Sequence, residues 1–547
     1  VRLVNRRIGL LFAIFLLLLG AATARATWLG TLGSGHLDER AATQQTQDLD
    51  VFARRGTITD RHGVELAVSD DSVTVAANPM QIDNPPAVAA KLAPLLGETE
   101  SDLVELMSDR TTGFVYLKRK IDPDDGAKVD KLGIDGITTT VEPRRTYPQG
   151  ALAGQLIGAV GTDNEGLTGI EQHFDEQLHG EDGSRHLVSD ALGEAVQIVE
   201  TKRAEPGEDM QLTIDAALQE RVEAVMEDVA ATVNPKGATA VVMDPRNGEI
   251  LSLANYPRVD PNDIGNAEED ARENRAVTTA YEPGSTFKAF TVASAIEAGR
   301  ITPETRFDLP PELQVADRTI GEAHDRGWAN LSTADILAQS SNVGAATIGL
   351  KLGSEAFDRW IRRFGFGSTT GVTLSGESPG IVLRPREYSG SSLGNMSIGQ
   401  GIAVTPLQMA AAYSALANGG VLHQPHVVMG EHDDGKRVIS ERTSRQVATM
   451  LEGVLAAGGT ASEAAIDGYT IAGKTGTAEK PDLVNGGYAE GKYFASFLGF
   501  APAKNPQLMV AVMVDEPQGI YYGGEVAAPA FEKIMEFALP YLRIPPD

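Results

Sequence analysis

The chain has 547 residues, 42% hydrophobic and 22% charged, an ordinary globular composition long enough for three or four domains at roughly 150 residues each. Its 47 Lys and Arg against 75 Asp and Glu leave a net charge of −28, a field that repels polyanions and argues against nucleic-acid binding as the main task. The absence of cysteine excludes disulfides, thiolate metal sites and a cysteine nucleophile.

Arg2, Arg6 and Arg7 precede an apolar run that starts at Ile8 and meets no charge before Arg25. The basic flank predicts a cytoplasmic tail at 1–7, a membrane segment at 8–32 and export of everything that follows. Residues 8–24 reach about 25 Å as a helix, short of a ~30 Å hydrocarbon core unless Arg25 snorkels and the span continues toward Trp28. An apolar core ending in Ala22-Thr23-Ala24 also fits a cleavable signal peptide, so anchor and signal both remain open on these residues. A polar stem is expected over 33–50.

A mixed domain is expected from 51 to 207. It starts with two short strands around a turn in 57–68 and continues with helices near 88–96 and 101–107. Ala204-Glu205-Pro206-Gly207-Glu208 forms a turn-rich joint, and a strand at 211–214 and an amphipathic helix at 216–231 follow it. Residues 208–547 form one large unit. In it 239–243, the turn Asp244-Pro245-Arg246-Asn247-Gly248 and 249–254 make a hairpin, and further strands are predicted at 469–477, 495–500 and 508–514. Strands at both ends with helices between them predict an α+β layer rather than alternating βαβ units.

Three short motifs in this unit carry chemistry. Ser285-Thr286-Phe287-Lys288 opens an almost wholly apolar helix that Pro283 and Gly284 introduce, so a buried lysine is predicted on the same face as a serine one turn earlier. Desolvation would push that amine down from roughly 10.4 toward neutrality and make it a base for the serine proton. Ser340-Ser341-Asn342 follows a helix capped by Ser332 with Asp335 and offers a hydroxyl for proton relay and an amide to hold a peptide group. Lys474-Thr475-Gly476-Thr477 lies on a predicted strand, where a glycine lets a ligand backbone approach and a lysine with threonine hydroxyls can hold a carboxylate.

The order and intervals of these three motifs resemble the serine acyltransferases that include penicillin-binding proteins and serine β-lactamases. The segments Arg54-Arg55-Gly56-Thr57-Ile58-Thr59-Asp60-Arg61-His62-Gly63, Arg144-Arg145-Thr146-Tyr147-Pro148 and Gly166-Leu167-Thr168-Gly169-Ile170-Glu171 are similar to the boxes of the class B pedestal. Lys474 to Lys480, Asp515-Glu516-Pro517 and Tyr521-Tyr522-Gly523-Gly524 resemble the cell-division (FtsI) type more than the elongation type.

This resemblance implies a transpeptidase fold, an antiparallel sheet with flanking helices and a helical subdomain, preceded by a pedestal of the dimerisation-domain type and an uncleaved anchor. It implies a peptidoglycan D,D-transpeptidase in which Ser285 attacks the D-alanyl-D-alanine end of a stem peptide and Lys288 is the general base. Ser340 passes a proton to the leaving D-alanine, Asn342 orients the acyl peptide, and the N–H groups of Ser285 and Thr477 form the oxyanion hole. Lys474, Thr475, Gly476 and Thr477 bind the substrate, with Lys474 also helping to keep Lys288 neutral. Arg55, Gly56, Asp60, Arg61, Gly63, Gly169 and Glu171 are implied at the pedestal interface, with Glu171 and Asp60 as partners for the Arg54-Arg55 pair.

β-Lactams are expected to acylate Ser285 as dead-end substrates, no metal or organic cofactor is expected, and a SEDS-type glycosyltransferase resembling FtsW is the implied partner. The rival readings are a β-lactamase, carboxypeptidase or penicillin sensor of the same superfamily, and a non-catalytic division scaffold. His423 and His426, separated by Gln424-Pro425, are read as loop residues and not as a metal pair.

Overall fold

The computed structural model describes residues 2–31, 46–189, 195–456, 459–461, 464–482 and 485–547. Most of the expected polar stem lies outside the described residues. The amino-terminal helix α1 (Arg2–Thr31) contains one stretch, Arg6–Trp28, long and apolar enough to cross a membrane, with mean hydropathy 2.1. The leucines and phenylalanines between Leu10 and Leu19 are exposed, as a surface that fits lipid requires. This helix fits a single-pass membrane anchor.

The rest of the chain forms two compact units, and the chain passes between them more than once. The smaller comprises residues up to 55, 71–144 and 179–207; the larger comprises 56–70, 145–178 and 208–547.

In the smaller unit residues 71–77 pair antiparallel with Val115–Ile121 in the register Val73↔Ile121 and Ala77↔Val115. The helices Pro85–Leu96 and Glu100–Ser108 begin where Asn84 accepts from the Ala87 amide (3.2 Å) and Thr99 from that of Asp102 (3.2 Å), each satisfying an amide that a helix start leaves unpaired. Leu92, Leu96, Leu103 and Met107 then bury one face of each helix against Val75, Leu117 and Ile121. Arg54 pairs with Asp71, and Arg55 lies 3.5 Å from His179 Nδ1.

The larger unit is built on five strands. Helix α2 (Ala216–Val233) is followed by β1 (Gly237–Met243) and β2 (Ile250–Tyr256). The middle of the unit is helical and includes α3 (Lys288–Glu297), α4 (Thr333–Ala338), α5 (Asn342–Leu352) and α6 (Pro406–Ala417). The chain returns to the sheet with β3 (Ala472–Pro481), β4 (Tyr488–Ala501) and β5 (Leu508–Asp515), and ends in α7 (Gly523–Tyr541). The sheet is antiparallel in the order β2-β1-β5-β4-β3, so β3 is an outer strand. β1 and β5 are buried throughout, which explains their unbroken apolar runs. The core includes Val241, Val512, Phe497, Phe531, Leu407 and Phe290.

The arginine- and glycine-rich box beginning at Gly56 lies in this larger unit. Gly56 N donates to Leu178 O at 2.8 Å, and Ile58–Thr59 pairs antiparallel with the strand that starts at Glu65 and parallel with Met210–Gln211. Asp60 is spent on backbone: it accepts from His62 N (2.7 Å), Val64 N (2.8 Å) and Ala216 N (3.0 Å), closing the turn at Gly63 and supporting the start of α2. Asp60 is thus a cap, where the sequence implied an arginine partner. Arg61 reaches Glu249 at 3.3 Å. Gly169 opens a short helix, and Glu171 accepts from Arg145 Nε at 2.6 Å with both side chains buried.

Candidate active site

The site begins with a tight turn. Gly284–Phe287 is 3-10 helix, and the α-helical α3 starts only at Lys288. The single α-helix predicted through Ser285 is therefore corrected, but the facing survives, because residues three apart eclipse one another in a 3-10 turn. Lys288 N donates back to Ser285 O. The turn is fixed from outside by Gly284 N on Gly399 O (3.0 Å) and by the Tyr413 hydroxyl on Thr286 O (2.7 Å). Gly399 has φ +81, and a Cβ there would stand 2.1 Å from Gly284 O, so only glycine allows this approach. Behind the turn Phe287 and Phe290 pack against Phe366 (ring centroids 5.1 and 5.0 Å), and Phe290 meets Tyr413 edge-on at 5.3 Å.

Lys288 is 1% exposed, and its amine is held by the Ser-x-Asn turn. Nζ lies 2.6 Å from Ser340 O, 2.6 Å from Asn342 Oδ1 and 3.2 Å from Ser340 Oγ. Ser340 adopts φ +58, a left-handed conformation unusual for serine, which turns both its carbonyl and its hydroxyl toward the amine. The turn is delivered as the sequence predicts, by a capping box between Ser332 and Asp335 at the start of α4. Burial pushes the Lys288 pKa down to about 7, against the opposing pull of the Glu322 carboxylate. Two of the three partners are pure acceptors and the third is a hydroxyl able to donate, so the set matches a neutral amine with two N–H bonds and one lone pair. Ser285 Oγ has no hydrogen-bond partner among the described residues.

The third side is β3. Lys474 is fully buried and, among the described residues, makes only long contacts, 3.3 Å each to Thr475 O and Oγ1. Burial holds its amine well below the usual ammonium range, and charge on Lys288 pushes the same way. Burial, rather than Lys474, is the main cause of the low Lys288 value. Thr475 Oγ1 lies 2.9 Å from Thr460 Oγ1, and Thr477 Oγ1 accepts from Gly523 N at 2.9 Å. At Gly476 a Cβ would stand 2.9 Å from Pro283 O and 2.4 Å from Ser496 Oγ, so glycine is what lets this strand lie against the serine turn.

Ser285, Lys288, Ser340, Asn342 and the 474–477 strand thus belong to one assembly built from three distant parts of the chain. The sequence reading missed Glu322, Arg326 and Thr460. It also gave no role to Glu282, which accepts from Gly401 N at 2.9 Å and from the Tyr488 hydroxyl at 3.0 Å. His423 pairs with Asp433 at 3.0 Å, and among the described residues no cluster of three metal-ligating side chains occurs.

The model of the penicillin binding protein transpeptidase domain matches residues 238–536, which include every residue of this assembly, and that of the penicillin-binding protein dimerisation domain matches 50–212. The chain is 34% identical over 552 residues to the probable peptidoglycan D,D-transpeptidase PenA of Neisseria meningitidis, covering 99% of this chain and 94% of that protein. To the peptidoglycan D,D-transpeptidase FtsI of Escherichia coli it is 32% identical over 554 residues, covering 100% and 93%. The structure of penicillin binding protein 3 from Mycobacterium tuberculosis with aztreonam superposes with a TM-score of 0.72 at 28% identity, covering 91% of this chain and 98% of that one. With the matched domain enclosing the whole site and relatives aligned from end to end, the chain belongs to the penicillin-binding protein transpeptidases.

Proposed function

We propose that Ser285 is the nucleophile of this enzyme and Lys288 its general base. The chain is a serine-type peptidoglycan D,D-transpeptidase, which cross-links stem peptides through an acyl-enzyme. Ser285 Oγ attacks the penultimate D-alanine carbonyl while Lys288 takes the hydroxyl proton. The tetrahedral oxyanion is held by the N–H groups of Ser285 and Thr477, each such donor contributing about 3–4 kcal/mol. Collapse expels D-alanine, whose nitrogen receives a proton from Lys288 through Ser340 Oγ, 3.2 Å from the amine. An amine of a second stem peptide then attacks the ester and regenerates Ser285.

After Asn342 donates to Gly321 O at 2.9 Å, its second amide N–H has no partner among the described residues, and that donor meets the acyl peptide. The terminal carboxylate is taken by Lys474 with Thr475 and Thr477. Among the described residues Lys474 has no acid partner, so an incoming anion supplies the countercharge that burial withholds. The outer position of β3 lets the peptide add along its edge.

The observation that carries this reading is the buried Lys288 amine, 2.6 Å from both Ser340 O and Asn342 Oδ1, one 3-10 turn after a serine whose hydroxyl has no partner among the described residues. Arg2, Arg6 and Arg7 support a cytoplasmic amino terminus with the catalytic unit outside. Likeness to FtsI supports septal synthesis beside a SEDS-type glycosyltransferase resembling FtsW.

Labelling the protein with fluorescent penicillin and mapping the adduct by mass spectrometry tests the assignment. The adduct is expected on Ser285, lasting minutes to hours and absent from Ser285→Ala. Rapid turnover would mark a hydrolase instead, and cell growth supported by Ser285→Ala would mark a scaffold.

A further inference from the structure

The Ser-x-Asn turn is held by an acid that none of the three motifs contains. Glu322 follows the small hairpin formed by Glu312–Val315 and Arg318–Gly321. Its Oε1 accepts from Ser341 Oγ at 2.6 Å and its Oε2 from Asn342 N at 2.6 Å. Arg326 forms an ion pair with the same carboxylate and donates to Ser341 Oγ at 3.1 Å. One residue before Glu322, Gly321 O accepts from Asn342 Nδ2 at 2.9 Å. The backbone and side chain of Asn342 are therefore both fixed from this loop, and its remaining oxygen faces Lys288.

A helix cap alone would not need this arrangement, because Ser341 already caps α5 by accepting from Gly344 N at 2.9 Å. The carboxylate adds two things: charge-assisted bonds, roughly twice as strong as neutral ones, and a negative charge near a buried amine. Among the described residues Lys474 from β3 is the other amine that interacts with Lys288, and a positive charge on it opposes Glu322. Arg326 lies behind Glu322. Asp335 on α4 is turned to its own Ser332 (2.7 Å), and Tyr413 on α6 is committed to Thr286.

On the reading in which Lys288 takes the Ser285 proton, we infer that Glu322 and Arg326 form a positioning pair that fixes Asn342 against Lys288 and sets the pH at which acylation begins. Neither touches the reacting atoms. The negative charge favours the protonated amine, and the guanidinium moderates that pull.

The test is the rate of benzylpenicillin acylation as a function of pH in the full chain, for wild type, Glu322→Gln, Glu322→Asp and Arg326→Gln. Glu322→Gln is expected to lower the plateau about tenfold and to move the acid limb downward by about half a pH unit, since loss of the negative charge favours neutral Lys288. Arg326→Gln is expected to move the limb upward with a smaller loss of rate. Glu322→Asp is expected to restore the limb while recovering only part of the plateau.

A limb that stays in place in both charge variants overturns the inference, whatever the fall in rate, and leaves Glu322 as a structural cap. Should Glu322→Gln not fold, the upward limb of Arg326→Gln decides by itself. Wild type that takes no penicillin on Ser285 would instead overturn the underlying reading, so the two failures are distinct.

Discussion

The two lysines of the site are both removed from water, yet the regions that bury them treat them differently. The helical region gives Lys288 three partners, two at 2.6 Å, and places Glu322 behind them. The strand region gives Lys474, among the described residues, two contacts of 3.3 Å and no acid. The first amine is held by short bonds, while the second has only long ones among the described residues. A single substitution in each region should consequently fail in a different way.

The largest effect is expected at Lys288. Lys288→Ala removes the proposed proton acceptor and should slow acylation about a thousandfold with little change in initial penicillin binding, read by stopped-flow separation of the two steps. Equal loss in binding and chemistry would mean that Lys288 is only a packing group. In wild type the acylation rate should fall about tenfold per pH unit below about pH 7, because the amine whose pKa is lowered to about 7 is protonated there, and should level off above it.

Asn342→Ala should cost less, about a hundredfold, since Ser340 O still holds the amine while the 2.6 Å bond to Oδ1 is lost. Lys474→Ala is expected to cost about tenfold, and the loss should sit in binding. A β-lactam carrying a free carboxylate should bind that variant more weakly, while its neutral ester should bind variant and wild type alike. Equal losses for acid and ester would separate Lys474 from carboxylate recognition.

The contrast also marks what the sequence could reveal. Ser285, Lys288, Ser340, Asn342 and Lys474 stand out because reactive residue types recur at fixed short spacings, and the apolar run after Lys288 already predicts its burial. Glu322 gives no such signal: it sits on a loop after a four-residue strand and reaches Asn342 only through tertiary placement. The 3-10 turn around Ser285 is invisible for a related reason, since no residue preference separates it from the first turn of an α-helix. β3 and β4 run beyond their predicted limits, to Pro481 and back to Tyr488, because their outer halves are exposed and polar and break the apolar pattern. Asp60 shows the limit of reading charge as pairing, since three backbone amides consume it.

The smallest expected effect bears on stability. Lys474 is buried with long contacts to Thr475, so the folded chain carries the cost of desolvating its amine. Methionine has a similar length and no polar hydrogen to satisfy, and Lys474→Met should raise the unfolding free energy by about 1–2 kcal/mol near neutral pH while weakening carboxylate binding. The gain should depend on pH with a definite sign. With the folded-state value depressed, the unfolded chain binds the extra proton between that value and the ordinary lysine range, so wild-type stability climbs with pH across this window. The advantage of the methionine variant should accordingly shrink as pH rises toward the ordinary lysine value, read by denaturant titrations at successive pH values. A variant less stable than wild type at neutral pH would mean that the strand already satisfies this amine, and the contrast with Lys288 would collapse.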